Sequence, residues 1–234
     1  MKRGTFQFGV ASFLLLVGLS GCKIGQGENV TPTPSTLSFP LQSAYKALVA
    51  NGVTKSFTVS GTCSGAGVLV TTPASTAATF EGVTALSAAG TITASLTDCT
   101  PASTATTITD YYDSNYTLLG FFSVGVNYGV YLTPPAMPTS VTVGGTGVVG
   151  TATLYADNTK AVGHGTQVMS YVVEADTPTT AIVNLVSNTY NASGTLTVTE
   201  QDRYRIAATG ALVPVSSDIQ YANGSSTHTI YTFI

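Results

Sequence analysis

The run YTLLGFFSVGVNYGVYL at 116–132 decides the fold class. Its even positions are Tyr116, Leu118, Gly120, Phe122, Val124, Val126, Tyr128, Val130 and Leu132, and its odd positions include Thr117, Ser123, Gly125, Asn127 and Gly129. Apolar residues at every second place mark a strand with one face on a core, whereas a helix would repeat at three and four. Seventeen residues exceed an ordinary strand, so the pattern predicts a bend near Gly120 or Gly125. On this parity Tyr116, Phe122 and Tyr128 belong to the core.

The same period extends in both directions. Upstream, Phe57 and Val59 alternate with Ser56, Thr58 and Ser60. Downstream, strand-like runs at 146–156, 162–175, 180–190, 195–206 and 227–233 are separated by DNTK (157–160), DTP (176–178), NASG (191–194) and NGSS (223–226). Breaks this short favour antiparallel neighbours over crossover connections. SAYKALVA at 43–50 reads as a short helix, with Tyr45, Leu48 and Val49 on one face and Asn51-Gly52 as its stop. TPPAMP at 133–138 is the strongest internal boundary, marking either a subdivision or a long loop. The expected fold is all-β: an antiparallel β-sandwich or incomplete β-barrel or meander with one short N-terminal helix, spanning 43–234.

Composition agrees. Of 234 residues 40 are Thr and 22 Ser, 44% are hydrophobic, and 8% are charged, against roughly 25% charged in ordinary domains. Too few Glu, Lys and Arg remain for a helical bundle, and the apolar content excludes a charge-rich disordered chain. A formal net charge of −3 argues against nucleic acid as a partner.

The N-terminus is an address. Lys2 and Arg3 precede a mostly apolar stretch at 6–19, too short to span a bilayer and shaped as a cleaved secretory signal. It ends in Leu19-Ser20-Gly21-Cys22, which resembles the lipobox of bacterial lipoproteins. The resemblance covers this segment alone. It implies a signal peptide at 1–21 and a covalent diacylglycerol and acyl anchor on Cys22; no other cofactor is expected from the sequence. Two or three acyl chains give lasting attachment where one does not. Lys23 in place of Asp implies, by the Gram-negative sorting rule, the outer rather than the inner membrane. The Gly-, Thr- and Pro-rich stretch that follows makes 22–42 a flexible tether.

Beyond Cys22, the even remainder Cys63 and Cys99 points to a disulfide in an exported chain. Gly61-Thr-Cys63-Ser-Gly65 also fits the letters of a nucleophile elbow, but no helix pattern follows it. His164 and His228 stand apart, and no thiol pair has metal spacing, so a nitrogen- or sulfur-ligated metal is not expected. Asp110, Asp113 and Asn115 offer oxygen ligands without the rest of a calcium loop, which suits a solvated or turn-capping cluster. Glu200 and Asp202 share parity with Val198, Tyr204 and Ile206, so strict alternation places two carboxylates on the apolar face. Such a pair could serve glycan hydrolysis; alternatively a bulge alters the facing, or Arg203 and Arg205 pair with acids on neighbouring strands. Seven aromatics crowd 111–131, and once those of core parity are removed, Tyr111, Tyr112, Phe121 and Tyr131 remain as binding candidates.

The expectation is therefore a lipid-tethered, non-enzymatic β module that binds or scaffolds at the cell envelope, with an envelope protein or glycan as partner besides the membrane. A glycan-directed envelope hydrolase using Glu200 and Asp202 is one alternative. A carrier of lipid or apolar ligand, which needs a curved sheet around a cavity, is the other.

Overall fold

Thr and Ser alternating with Val, Ile and Phe build strands because branched and aromatic side chains pack well on a pleated surface with one buried face. The computed structural model describes residues 34–222 and 228–234. It contains one helix, α1 (Leu41–Asn51), and thirteen strands: β1 (Val53–Gly61), β2 (Gly65–Thr71), β3 (Thr76–Phe80), β4 (Val83–Leu96), β5 (Ser103–Tyr112), β6 (Leu118–Ser123), β7 (Asn127–Val130), β8 (Thr146–Tyr155), β9 (Gly163–Thr177), β10 (Thr180–Asn191), β11 (Leu196–Ala207), β12 (Leu212–Tyr221) and β13 (His228–Phe233). The residues expected to form the signal and to carry the anchor, 1–21 and Cys22, lie outside the described part. The chain packs earlier than the tether at 22–42 would suggest: the Ser35 hydroxyl donates to Pro178 O at 2.9 Å, and Phe39 is fully buried and bridges Val141.

From β4 to β13 each strand pairs antiparallel with the next. β13 then pairs with β1, β1 with β2, and β2 with β4 from Gly65↔Leu96 to Thr71↔Gly90. The sheet thereby closes on itself as a barrel of twelve strands, with β3 as the additional one. Closure removes the open edges that would otherwise invite pairing with other chains. Strands from both sides of 133–138 join in this one sheet through β7 and β8.

The register gives every strand an inner and an outer face. Phe57 and Val59 of β1, Ile92 and Ala94 of β4, Ile108 of β5, Val183 and Leu185 of β10 and Ile219 of β12 point in, while Ser56, Thr58, Thr91, Thr93, Ser95 and Thr107 point out. Eight strands make a barrel that side chains alone can fill; twelve make a wider one. The chain fills part of the excess with aromatics and part with α1, which closes one end. Leu41 and Ala44 of the helix pack with Phe39, Val141, Val173 and Ile206, and Val49 packs with Ala74 and Tyr112. The 133–138 segment runs beneath α1, where the Gln42 N–H donates to Pro138 O at 3.1 Å and its side-chain amide to Met137 O. Gly52 ends the helix at φ +67, and a Cβ there would sit 2.3 Å from Thr71 O.

Three features depart from the sequence pattern. The 116–132 run is two strands, β6 and β7, joined by a turn at 124–126 where Gly125 takes φ +70. Its parity is also inverted: Phe121 and Tyr131 face the interior, while Phe122 and Tyr128 lie outside. They are covered there because β3 and the start of β4 fold as an arm over the outer wall. Phe80 at the tip of β3 stacks on Tyr111 (centroids 4.6 Å) and contacts Tyr128 (5.3 Å), over the bare backbone of Gly120. Glu81 holds the arm down through the Tyr128 hydroxyl (2.8 Å) and Lys160. Tyr116 takes φ +59 in the β5–β6 turn. Finally, β12 has no clear alternation in its sequence, because Pro214 interrupts it and the register slips by one residue between Arg203↔Ser216 and Tyr204↔Pro214.

Cys63 and Cys99 form the expected disulfide, Cα–Cα 5.7 Å. It ties the β1–β2 turn to the β4–β5 turn at the end opposite α1.

Candidate functional site

The barrel is not completely filled. Inside it lies a cavity of about 210 Å³. Its apolar wall includes Leu69, Ile92, Ile108, Phe121, Met169 and Leu185; its polar wall includes Asp110 and Tyr112 of β5, Glu200, Asp202 and Tyr204 of β11, and Ser217 of β12. Tyr45 enters from α1, and Tyr131 from the segment after β7. The cavity exists because twelve strands enclose more space than one face of each can occupy. Each polar group is there by register. Asp110 pairs with Ala88 between two inward neighbours, Ile108 and Tyr112. In β11 the pairing with β10 runs without slip from Ala207 to Val198, so Glu200 and Asp202 face inward with Val198, Tyr204 and Ile206.

The closed strand order sets the separation of the acids. Counted around the ring of twelve, β5 and β11 are six strands apart in either direction, so Asp110 and Asp202 stand on opposite walls. Tyr45 lies between them and feels both: burial raises its hydroxyl pKa far above the usual tyrosine value, and the charges of Asp110 and Asp202 raise it further. Burial pushes Asp110 up to about 7, a rise that hydrogen bonding from the Tyr112 hydroxyl partly offsets. Burial likewise pushes Asp202 up to about 6, offset by Ser217. The Ser217 hydroxyl also reaches Glu200 Oε1 at 3.4 Å, and so serves both acids of β11. Tyr112, Tyr131 and Tyr204 are all held protonated by burial, with nearby carboxylates adding to the effect. Asp110, Asp202 and Tyr45 retain intermediate exposure because they border the cavity. Glu200 is 1% exposed.

The lumen is strongly acidic. Among the described residues lining it, Arg203 is the one basic group, and its guanidinium lies on the outer surface, donating to Glu174 at 3.4 Å and Gln201 at 3.0 Å. Arg205 pairs outside with Asp176 at 2.7 and 3.2 Å. Both arginines reach acids of β9, across β10. Ser187, on the inward register opposite Met169 and Glu200, is fully buried, and its hydroxyl has no hydrogen-bond partner among the described residues. Toward the disulfide-bearing end buried positions turn polar: Gln167 donates to Thr189 at 3.5 Å, Ser123 pairs with Asn127, and His164 Nδ1 lies 2.9 Å from Asn127 Oδ1.

The four binding aromatics do not form an exposed strip. Tyr111 lies outside beneath Phe80, while Tyr112, Phe121 and Tyr131 face the cavity. The Asp110, Asp113 and Asn115 trio is divided. Asp110 points into the lumen, whereas Asp113 caps its own turn by accepting from the Asn115 and Thr117 N–H groups, both at 2.8 Å. His228 pairs on the outer face with Asp218 at 2.7 Å. Sequence reasoning found Glu200 and Asp202 but not Asp110 as their counterpart. The signal was present: 104–112 alternates as Thr104, Thr106, Ile108, Asp110, Tyr112, which puts the acid on the Ile108 face.

Comparison of the chain with protein-family models, curated proteins and solved structures finds no match.

Proposed function

We propose that this chain is a cell-envelope lipoprotein, anchored through Cys22 at the outer membrane, whose barrel binds a small ligand in its lumen. The cavity of about 210 Å³ carries the ligand reading. Ligand sites are concave, mostly apolar, and furnished with a few convergent polar groups, and the lumen has that composition. The anchor reading rests on Leu19-Ser20-Gly21-Cys22 at the end of a basic-apolar leader. The outer wall supports attachment by lipid rather than by the barrel itself. A membrane-spanning barrel is apolar outside and polar within, whereas here Ser and Thr dominate the outside of β1, β4 and β5.

The size of the site favours a binder over the glycan hydrolase. Glu200 and Asp202 border a cavity of about 210 Å³, small for a polysaccharide chain. A two-tailed lipid is equally ill-suited, since an apolar cavity of roughly 150 Å³ holds a benzene and this one is only modestly larger.

Two measurements test the proposal. Cys22→Ser is expected to move the protein from the membrane to the soluble fraction; unchanged membrane association refutes the anchor. Fluorine NMR of para-fluorophenethyl alcohol with the full chain is expected to show saturable binding that Thr106→Phe, which extends a ring into the cavity from β5, abolishes. Absence of binding to the wild type, or its persistence in Thr106→Phe, refutes the luminal site.

A further inference from the structure

We infer that the lumen selects a small organic ammonium ion: an apolar body seated against Ile92, Ile108 and Phe121, its charge received by Asp110 of β5 or Asp202 of β11. This deepens the proposal above and rests on the lumen being a ligand site.

The geometry carries the inference. Two carboxylates on different strands, Asp110 and Asp202, border a cavity into which no basic head group of the described lining residues projects. As Asp110 and Asp202 ionise they repel an anion and favour a cation, and no basic group among the described lining residues competes for that place. Among the described residues no three His, Cys, Asp or Glu side chains converge on a metal ion; the acids of β5 and β11 occupy opposite walls. The complementary cation is therefore one that brings its own apolar surface. Tyr45, Tyr112 and Tyr204 add ring faces and hydroxyl oxygens to the same space, and both attract an ammonium group. On the same inward register, opposite Glu200, the buried Ser187 hydroxyl has no hydrogen-bond partner among the described residues.

Ionisation of the walls supports the same ligand. Without a cation Asp110 and Asp202 are pushed toward neutrality by burial; an ammonium ion holds them ionised and displaces their protons. The groups facing them are Tyr45 from α1, Tyr112 from β5, Tyr131 after β7, Glu200 and Tyr204 from β11, and Ser217 from β12. Lys46 of α1 borders a separate crevice with Gln42 and Tyr116, and Lys55 of β1, opposite Leu69 in register, is not among the lining residues. None of these groups supplies a cation at the acids, so amine affinity should rise with pH between about 5 and 8 as the carboxylates ionise.

The test compares three isosteric probes on the full chain by fluorine NMR: para-fluorophenethylamine, para-fluorophenethyl alcohol and para-fluorophenylacetate. At pH 8 the amine is expected to bind at least about tenfold tighter than the alcohol, in keeping with the strength of charge-assisted hydrogen bonds, and the carboxylate is expected not to bind. Lowering the pH to 5 should erase the amine's advantage while the alcohol changes little. The double variant Asp110→Asn, Asp202→Asn should lower the amine-to-alcohol ratio by about tenfold, with alcohol binding reporting an intact lumen. Equal binding of amine and alcohol overturns the ammonium inference and leaves the luminal site standing. Binding of neither probe overturns both. An undiminished ratio in the double variant overturns the assignment of these carboxylates.

Discussion

Replacing Asp110 by Asn converts a titrating wall into a fixed neutral one, and the consequence for stability can be worked through in sign and size. Asp110 has its pKa raised from an ordinary 3.8 to about 7 by burial. A carboxyl raised on folding contributes stability that is complete below its unfolded pKa and is lost as pH rises through the folded value. About three units at 1.36 kcal/mol each amount to roughly 4 kcal/mol at most, and water in the lumen lowers that to about 2–4. Asp202, raised to about 6, loses stability over a lower part of the same window. At pH 5 the unfolded carboxyl has already ionised while the folded one has not, so about 1.2 of the three units already apply and Asp110→Asn should gain only about 1–1.5 kcal/mol over wild type. At pH 8.5 the variant should gain about 2–4 kcal/mol, which raises Tm by roughly 5–15 °C for a domain of this size. Carboxylates held low by partners, Asp176 by Arg205 and Glu81 by Lys160, titrate below this window and do not mask it. Thermal melts followed by circular dichroism at pH 5, 7 and 8.5 are the assay. A wild-type Tm that does not fall from pH 5 to 8.5, or an equal gain by the variant at both ends, would refute a buried, ionising Asp110.

Other perturbations probe the parts that hold the lumen in shape. Cys63→Ser with Cys99→Ser opens a bridge spanning a sequence separation of 36, and should cost about 3–4 kcal/mol in urea unfolding on the chain-entropy model. Phe80→Ala empties the pocket between Tyr111 and Tyr128 and should cost about 3–5 kcal/mol; hydrogen exchange should show new opening in β3 with β5 still protected. By contrast, Glu81→Gln removes a partly exposed ion pair with Lys160 and should shift the urea midpoint by less than about 1 kcal/mol. Ser187→Ala deletes a buried hydroxyl that has no partner among the described residues and should be neutral or stabilising by up to about 1 kcal/mol in the same assay.

Much of this was legible along the chain. Period-two alternation located β8 to β11 and β13 within two residues, because each meets a turn-forming cluster at its end and has a face that must be apolar. The inward facing of Glu200 and Asp202 followed from the same parity, since β11 carries no bulge where they lie. The reading failed where parity is broken by backbone. Gly125 reverses the chain inside what looks like one strand, and Pro214 with the register slip beside it disguises β12. It failed again at the outer aromatics, where Phe122 and Tyr128 are apolar because the β3 arm covers them and not because they face the core.

The sequence by itself determined the antiparallel β class, the disulfide partners and the inward parity of Glu200 and Asp202. Those are local properties, set by spacing and side-chain chemistry along the chain. Closure was decided only in three dimensions. Pairing of β2 with β4 and of β1 with β13 joins segments far apart in the chain, and nothing in either segment names its partner. Closure at twelve strands then leaves an interior too wide for its side chains, brings α1 in to stop one end, and sets Asp110 across from Asp202. A carboxylate on one strand has a parity; facing another across a lumen is a property of the ring.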